Sequence, residues 1–181
     1  MLRDGELVAV GGTRVVLGRQ PPGLLVINDL TVDDLLFIGW SGGLSHVQAV
    51  ERALLRALDG EVEYLAVRAP NGWPVCIGGV DFAVRDDDSG VIWQLVTHEK
   101  LRSLGLGTRL IREAENRIRR RGLRWSKLGV EDSNSRARSL YGRLGYQDYG
   151  HTEAEWEQAD SQGTTVKYNA QITLMQRRVA R

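Results

Sequence analysis

The chain has 181 residues, of which 42% are hydrophobic and 26% are charged, and these proportions exclude a disordered or collagen-like protein. Lys and Arg number 24 and Asp and Glu number 23, so the net charge is +1 and no whole-molecule field attracts nucleic acid or an anionic membrane. We therefore expect neither partner, and a chain of this length can bury about 70% of its unfolded surface in one domain.

The cysteine and histidine counts indicate a protein without disulfides or a metal. Cys76 is the only cysteine, and three histidines beside it are too few for a typical closed zinc site. No signal peptide or membrane span is recognisable, because the first residues are acidic and the apolar runs stay far below the roughly 20 residues that cross a bilayer. We expect a cytoplasmic protein with no bound metal.

The N-terminal part of the chain predicts a β-hairpin and two helices. β-Branched and apolar residues over Leu7–Leu17 are interrupted by two glycines, as in a pair of strands with a turn. Thr31 precedes two aspartates and caps a short helix that includes Ile38. A second helix begins at Ser45, has apolar residues at intervals of three or four, and ends at Gly60.

The middle of the chain predicts an antiparallel meander. Its three strands are Tyr64–Ala69, Val75–Val84 and Val91–Thr97. Short turns rich in Pro, Asn, Asp and Gly join them, and such turns reverse the chain direction between neighbouring strands.

After the meander the apolar period changes from two to between three and four. This change predicts a helix from Leu106 to Gly122, a strand over Leu123–Val130 and a helix over Asn134–Leu144. A late alternating segment, Thr164–Met175, predicts one more strand. No repeat or long linker divides the chain, so we expect a single mixed-sheet α/β domain over residues 1–181.

A glycine-rich turn lies between the third meander strand and the following helix. It reads Arg-Ser-Leu-Gly-Leu-Gly-Thr over Arg102–Thr108. Glycines let a ligand approach the backbone, and the first turn of a helix offers unpaired N–H groups that suit a diphosphate. The Arg102 guanidinium and the Thr108 hydroxyl would add donors. The same residues also suit a tight strand-to-helix turn with no ligand.

Two common nucleotide motifs fit this turn poorly. A P-loop requires Gly-Lys-Ser/Thr, and the turn has no lysine. A dinucleotide fingerprint requires a third glycine three positions after Gly107, where Leu110 stands, and it follows the first strand of a parallel unit rather than a meander.

A second motif follows the turn after one helix and one strand. It reads Asn134-x-x-Ala137-x-x-Leu140-Tyr141-x-x-Leu144-Gly145-Tyr146. Together with Arg-x-x-Gly-x-Gly over Arg102–Gly107, which follows a strand ending Leu95-Val96-Thr97, it resembles the GNAT superfamily of N-acetyltransferases. The two motifs cover about residues 91–147. One departure is Glu99, where many members have proline in the loop.

The resemblance implies an α/β (α+β) fold with a mixed central sheet, in which an antiparallel meander is followed by strand-helix-strand-helix, with helices on both faces. It also implies that the strands ending at Thr97 and Val130 splay apart around acetyl-CoA. The cofactor's pantetheine arm would lie along Leu95, Val96 and Thr97 and near Asn134. Its pyrophosphate would be held by Arg102, Ser103, Leu104, Gly105, Leu106, Gly107 and Thr108.

The implied reaction moves an acetyl group from acetyl-CoA to a primary amine by direct attack in a ternary complex. An alkyl amine has a pKa of about 10.4 and must lose a proton, while the departing thiolate must gain one. By the resemblance Tyr141 faces the sulfur as the general acid; otherwise it packs in the apolar stripe of its helix. Glu131 directly follows a strand and is the candidate base, although a chain of waters serves equally, and Asp132 or Ser133 would cap the next helix.

The acceptor is expected to be a small molecule or a peptide, and a homodimer is compatible with the function. Residues 30–58 and Gln147–Gly163 would wall the acceptor side, and the second segment is acidic, which suits a cationic acceptor or a solvated loop. A non-catalytic acyl-CoA-binding or sensing module of the same fold is the alternative function.

Three other features have simpler explanations. The basic run Arg117–Arg121 stands at a helix C-terminus, where cations suit the helix dipole, and it lacks the interleaved aromatic residues of a nucleic-acid surface. A position near the CoA 3′-phosphate is a further possibility for this run. His98 is expected at the surface, and Cys76 is expected to be a buried, inert thiol.

Overall fold

The computed structural model describes residues 6–10, 13–17, 25–84, 88–159 and 165–180. Three α-helices lie in them: α1 (Leu44–Leu58), α2 (Leu106–Arg120) and α3 (Ser135–Arg143). Short 3₁₀ segments are Val32–Phe37, Gly39–Ser41 and Glu99–Leu101. The strands are β1 (Glu6–Val10), β2 (Thr13–Leu17), β3 (Val26–Asp29), β4 (Val62–Arg68), β5 (Pro74–Asp81), β6 (Ser89–Thr97), β7 (Trp125–Glu131), β8 (Gln147–Ala159) and β9 (Thr165–Arg178).

A seven-stranded mixed sheet has the order β3-β4-β5-β6-β7-β9-β8, and β1 pairs with β2 in a separate antiparallel hairpin. Every pairing in the large sheet is antiparallel except that of β6 with β7. The predicted meander is therefore confirmed as β4-β5-β6, and the predicted strand-helix-strand-helix order is confirmed as β6-α2-β7-α3. The late strand is also present as β9.

Helices cover both faces of the sheet, as predicted. On one face, here called the α1 face, α1 packs through Val50, Ala53 and Leu54 onto β4 and its neighbours. On the other, the α2 face, the predicted apolar stripe of α2 from Leu106 to Ile118 joins the larger core cluster with Tyr141 of α3. Within the described residues, no helix is both long enough and apolar enough to cross a membrane.

The parallel pair β6–β7 is short, and this creates an opening in the sheet. The two strands pair only from Ser89–Trp125 to Ile92–Leu128. Beyond Ile92, β6 carries a bulge: Gly79 pairs with Trp93 and Ile77 with Val96, so two residues of β6 oppose one of β5. Gln94, in the bulge, has the left-handed φ of +50°. The bulge turns β6 away from β7 and leaves the facing edges of both strands free at their C-terminal ends.

Two strands were not predicted. β3 has only four residues, too few to give a periodic signal. The segment Gln147–Gly163, for which a solvated loop was one of the two open interpretations, contains β8 over residues 147–159. Apolar and polar residues do alternate from Thr152 to Trp156, but the acidic residues between them hid the strand. β8 is the last strand of the sheet, and an edge strand tolerates such charges because one side of it meets water.

Candidate active site

A cleft of about 420 Å³ opens on the α2 face, between the C-terminal end of β6, the N-terminus of α2 and the helix α3. Both sequence motifs line it. The predicted cofactor residues that border the cleft are Leu95, Val96, Thr97, Arg102, Ser103, Gly105, Leu106, Gly107, Thr108, Asn134 and Tyr141. Leu104 does not border the cleft, and this residue is 65% exposed to solvent.

The glycine-rich turn places the start of α2 at the mouth of the cleft. Gly105 precedes the helix with a φ of +79°, a conformation that glycine adopts without steric cost. Gly107 lies in the first helical turn, and a Cβ built there would stand 3.7 Å from Thr97 Oγ1 and 3.9 Å from Leu140 Cδ2. These two side chains line the cleft, so the missing methyl group keeps space open between its walls.

Three arginines give the cleft a positive charge, and among the described residues no carboxylate belongs to its lining. Arg102 comes from the turn, and its Nε donates a long hydrogen bond of 3.4 Å to the Thr97 carbonyl. Arg136 and Arg143 come from α3, and Arg136 Nη2 donates to Ser103 Oγ at 2.8 Å. Sequence reasoning missed both α3 arginines. Their spacing of four and three residues from the cleft residue Leu140 is the signal that could have found them.

Asn134 is the N-cap of α3. Its Oδ1 accepts a hydrogen bond of 3.0 Å from the Ala137 N–H, which satisfies one of the free donors of the helix. The sequence predicted Asp132 or Ser133 as the cap, and this prediction was wrong: Asp132 accepts a hydrogen bond from Thr173 Oγ1, and Ser133 Oγ donates to Glu131 Oε2. Asn134 also belongs to the cleft lining, and its Nδ2 group takes no part in the cap.

Tyr141 lies in the core with one side toward the cleft. It is 8% exposed, and its ring centre is 6.1 Å from that of Tyr146. Burial raises the pKa of the Tyr141 phenol to about 12. The side chain thus both packs, as the apolar stripe predicts, and borders the cleft, as the resemblance implies.

Glu131 lies at the opening between β6 and β7, on the face of the sheet opposite the cleft. It is the last residue of β7, next to Val130, which faces the α2-side core, so its side chain lies on the α1 face. Its Oε2 accepts hydrogen bonds from Ser133 Oγ at 3.1 Å and from the Tyr168 hydroxyl at 3.5 Å. Glu131 does not border the cleft. Tyr168, on β9, was not found from the sequence because it is far from Glu131 along the chain.

His98 is not at the surface, so that prediction was wrong. It is 7% exposed, and its ring centre lies 5.3 Å from that of Trp40 in the 3₁₀ segment Gly39–Ser41, which covers the end of β6. Burial lowers the pKa of His98. Cys76 is fully buried as expected, and burial raises the pKa of its thiol to about 11 despite a contact with Thr97 Oγ1.

The basic run at the end of α2 does not line the cleft. Arg117 pairs with Glu113, Glu63 and Asp29. Arg120 also pairs with Glu113, and Arg121 pairs with Glu63. These contacts connect α2 to β3 and β4.

Comparison with known proteins gives a family and a fold. The sequence matches the acetyltransferase (GNAT) family over residues 39–146, more than half of the chain. No curated protein matches it in sequence.

Three solved structures illustrate the fold. A ribosomal-protein-alanine N-acetyltransferase from Brucella melitensis has a TM-score of 0.65 at 17% identity, covering 85% of this chain and 99% of that one. An aminoglycoside 6′-N-acetyltransferase complexed with coenzyme A has a TM-score of 0.63 at 17% identity, covering 87% of this chain and 98% of that one. A spermidine N-acetyltransferase chimera from Vibrio cholerae and hSSAT has a TM-score of 0.65 at 17% identity, covering 84% of this chain and 93% of that one. At such identities the likeness concerns the fold alone.

Proposed function

The chain belongs to the GNAT family of acetyltransferases and is an acyltransferase, and from this premise we propose that it transfers an acetyl group from acetyl-CoA to a primary amine. The observation that carries the proposal is the cleft itself. It brings the start of α2, the free edge of β6 and Tyr141 to one opening. The structural neighbours support an amine acceptor, since their names refer to protein alanine, aminoglycoside and spermidine N-acetylation.

The cleft fits acetyl-CoA in four respects. The three lining arginines suit a ligand with several phosphate charges, and none of the described carboxylates lines the cleft beside Arg102, Arg136 and Arg143. The N–H groups at the start of α2 suit its diphosphate. Gly107 and Tyr141 line the same cleft, and the absence of a methyl group at Gly107 leaves space between Thr97 and Leu140. Residues 93–97 of β6 offer backbone groups without a β7 partner, as a pantetheine arm with its two amides requires.

The reaction forms a C–N bond and breaks a C–S bond. Acetyl-CoA supplies an activated acetyl carbon and a thiolate leaving group. The acceptor nitrogen must be neutral to attack, so its ammonium proton has to leave first, and one further proton must reach the thiolate sulfur. The protein therefore has to receive a proton on the acceptor side and stabilise negative charge on the cofactor side.

Tyr141 is proposed to act on the sulfur. With a pKa of about 12 the phenol stays protonated through the neutral range, so a donor is always available. A thiol has a pKa of about 8.5, and complete proton transfer from such a phenol to a thiolate is uphill. Tyr141 therefore contributes mainly as a hydrogen-bond donor to the developing charge, and the thiolate can take its final proton from water.

Glu131 is proposed to act on the amine. Its carboxylate has hydroxyl partners in Ser133 and Tyr168, and none of the described cationic side chains pairs with it. An ammonium group would supply the missing positive charge, and its proton can pass to the carboxylate or through it to water. The Tyr168 hydroxyl holds the carboxylate at the end of β7, where the acceptor must approach.

Calorimetry with CoA and a thiol-release assay over a panel of amines test the proposal. Binding of CoA together with thiol release for at least one amine is the expected result. Tight binding with no release for any amine would instead favour a non-catalytic acyl-CoA-binding module. Absence of CoA binding at millimolar concentration would contradict the proposed site.

Tyr141→Phe tests the role of the phenol. We expect kcat to fall about 10²-fold while the Kd for CoA is unchanged, because only the donor to the sulfur is lost. Tyr146→Phe is the matched control, since that hydroxyl is bonded to Ser126 Oγ at 2.7 Å in the same core but does not border the cleft. Equal rates for the two variants would assign Tyr141 to packing alone.

A further inference from the structure

The strand β9 has a free edge at the point where β7 ends. The two strands pair as far as Glu131 with Ile172, and the last bond between them runs from the Asp132 N–H to the Gln171 carbonyl. The chain then leaves the sheet toward α3. β9 extends beyond this point, back to Thr165, as a partner of β8. In residues 25–84, 88–159 and 165–180, no strand occupies the other side of this stretch.

The direction of the free backbone groups follows from the last bond to β7. The Gln171 carbonyl points toward β7, and backbone groups of alternate residues in a strand point to the same side. The N–H and C=O groups of Asn169 and Lys167 therefore point into the place that β7 has left. Each of these residues can exchange two hydrogen bonds with an added antiparallel strand.

This edge borders the opening in the sheet. β7 lies between β6 and β9, so the free edge of β9 and the free edge of β6 face the same space. The Glu131 carboxylate stands at the boundary, on the α1 face with Tyr168. An extended chain along β9 would thus begin beside the proposed base.

We infer that the acceptor is the α-amine of a peptide, whose N-terminal residues add to β9 at Asn169 and Lys167 as an antiparallel strand. The inference rests on the proposed acetyl transfer and specifies its acceptor. A chain terminus is required because β7 itself pairs with β9 from Ile172 to Arg178, so an added strand cannot continue past Gln171. An N-terminus is required because the Glu131 carboxylate, which forms no ion pair with a described cationic side chain, attracts an ammonium and repels a carboxylate. The peptide continues the line and direction of β7.

Peptides and small amines should differ as acceptors. The first probe is a library of eight-residue peptides with free N-termini, randomised at the first four positions, incubated with protein and acetyl-CoA beside spermidine and lysine methyl ester. Mass spectrometry should find acetyl groups on the α-nitrogen of a subset of peptides. Acetylation of the small amines with none on any peptide would refute the inference and leave the proposed function intact.

Backbone N-methylation tests strand addition with the unaltered protein. The best peptide is resynthesised with a methyl group on one backbone nitrogen at a time. Methylation at alternate positions should raise KM about tenfold, since it removes a bonded N–H and obstructs pairing, while the positions between should have little effect. If methylation at every position leaves KM unchanged, the peptide backbone does not form hydrogen bonds with a strand of the protein.

A pair of proline variants locates the strand. Asn169→Pro removes an N–H that points toward the opening, and Glu155→Pro places proline on the opposite strand at the same rung, facing the outer edge of the sheet. Asn169→Pro should raise the peptide KM about tenfold. Glu155→Pro should leave it unchanged, and both should bind CoA normally. An equal effect of the two prolines would refute the assignment to this edge.

Direct binding separates this inference from the proposed function. Fluorescence anisotropy of the labelled peptide, with the label at its C-terminus and CoA present, reports binding without turnover. Binding that is sensitive to alternate N-methylation, without acetyl transfer to any amine, would support the edge and refute the transferase proposal. Acetyl transfer to small amines without peptide binding would support the transferase proposal and refute peptide binding at this edge.

Discussion

Gly107→Ala should make the protein more stable and its CoA binding weaker. The glycine lies in the first turn of α2, and an added Cβ meets nothing closer than 3.7 Å, so the substitution creates no clash in the free protein. Replacing helical glycine with alanine stabilises a helix by roughly 0.5–1 kcal/mol. For a chain of this size that corresponds to a Tm rise of about 1–4 °C.

The same methyl group should obstruct the ligand. It would stand between Thr97 and Leu140, where the cofactor is proposed to pass from the start of α2 into the cleft. Forcing one extra methyl group into a close contact costs about 1–3 kcal/mol, and each 1.4 kcal/mol is tenfold in affinity. We therefore expect the Kd for CoA to rise about ten- to a hundredfold.

Thermal unfolding with and without CoA measures both effects together. At a CoA concentration of about 100 times Kd, the wild-type protein should gain about 2.7 kcal/mol, and a variant with a tenfold higher Kd should gain about half of that. Gly142→Ala is the matched control, because this α3 glycine has open space around its Cβ position and does not border the cleft. If Gly107→Ala binds CoA as tightly as Gly142→Ala, the cofactor does not pass over Gly107.

Two further experiments test the ion pairs that hold the site elements in place. Arg177→Met should lower the free energy of unfolding by about 3 kcal/mol, because it leaves the Glu115 side chain, only 3% exposed, without its cation. Adding Glu115→Met should recover most of this loss, as measured by urea unfolding. If the effects of the two substitutions simply add, the ion pair does not contribute in this way. Asp34→Asn should cost about 2 kcal/mol at pH 7. Burial alone would raise the pKa of Asp34, but hydrogen bonds from Arg68 and Thr31 outweigh it and hold that pKa below its usual value. Its contribution is therefore present above about pH 4 and is lost as the pH falls further, so the two unfolding curves should converge in acid and should not stay a constant distance apart.

Local sequence signals predicted most of the fold. The meander followed from short turns with Pro, Asn, Asp and Gly, and α2 followed from its apolar stripe, because these signals lie within a few neighbouring residues. The turn Arg102–Thr108 and the start of the last helix near Asn134 were found for the same reason. β8 was missed because its acidic residues are acceptable only at the edge of a sheet, and its place at the edge depends on the order in which distant strands pair.

The parts of the site that sequence reasoning missed depend on contacts between distant segments. Tyr168 reaches Glu131 only because β9 pairs with β7 in one register. The pairing of Arg136 with Ser103 requires α3 to lie beside the turn before α2. His98 is buried because a 3₁₀ segment from another part of the chain covers it. None of these contacts leaves a periodic pattern in the local sequence.

The bulge at Gln94 also determines which face of the sheet each of the last side chains of β6 lies on. In an uninterrupted strand, Ile92, Gln94 and Val96 would share one face; after the extra residue, Leu95 joins Ile92 in the α2-side core, and Val96 packs with Trp93 in the α1-side core. The Thr97 side chain is thereby brought to Gly107. Removing one residue from this strand would exchange the side chains on its two faces, so the residues that now face the proposed acceptor side would face the proposed donor site.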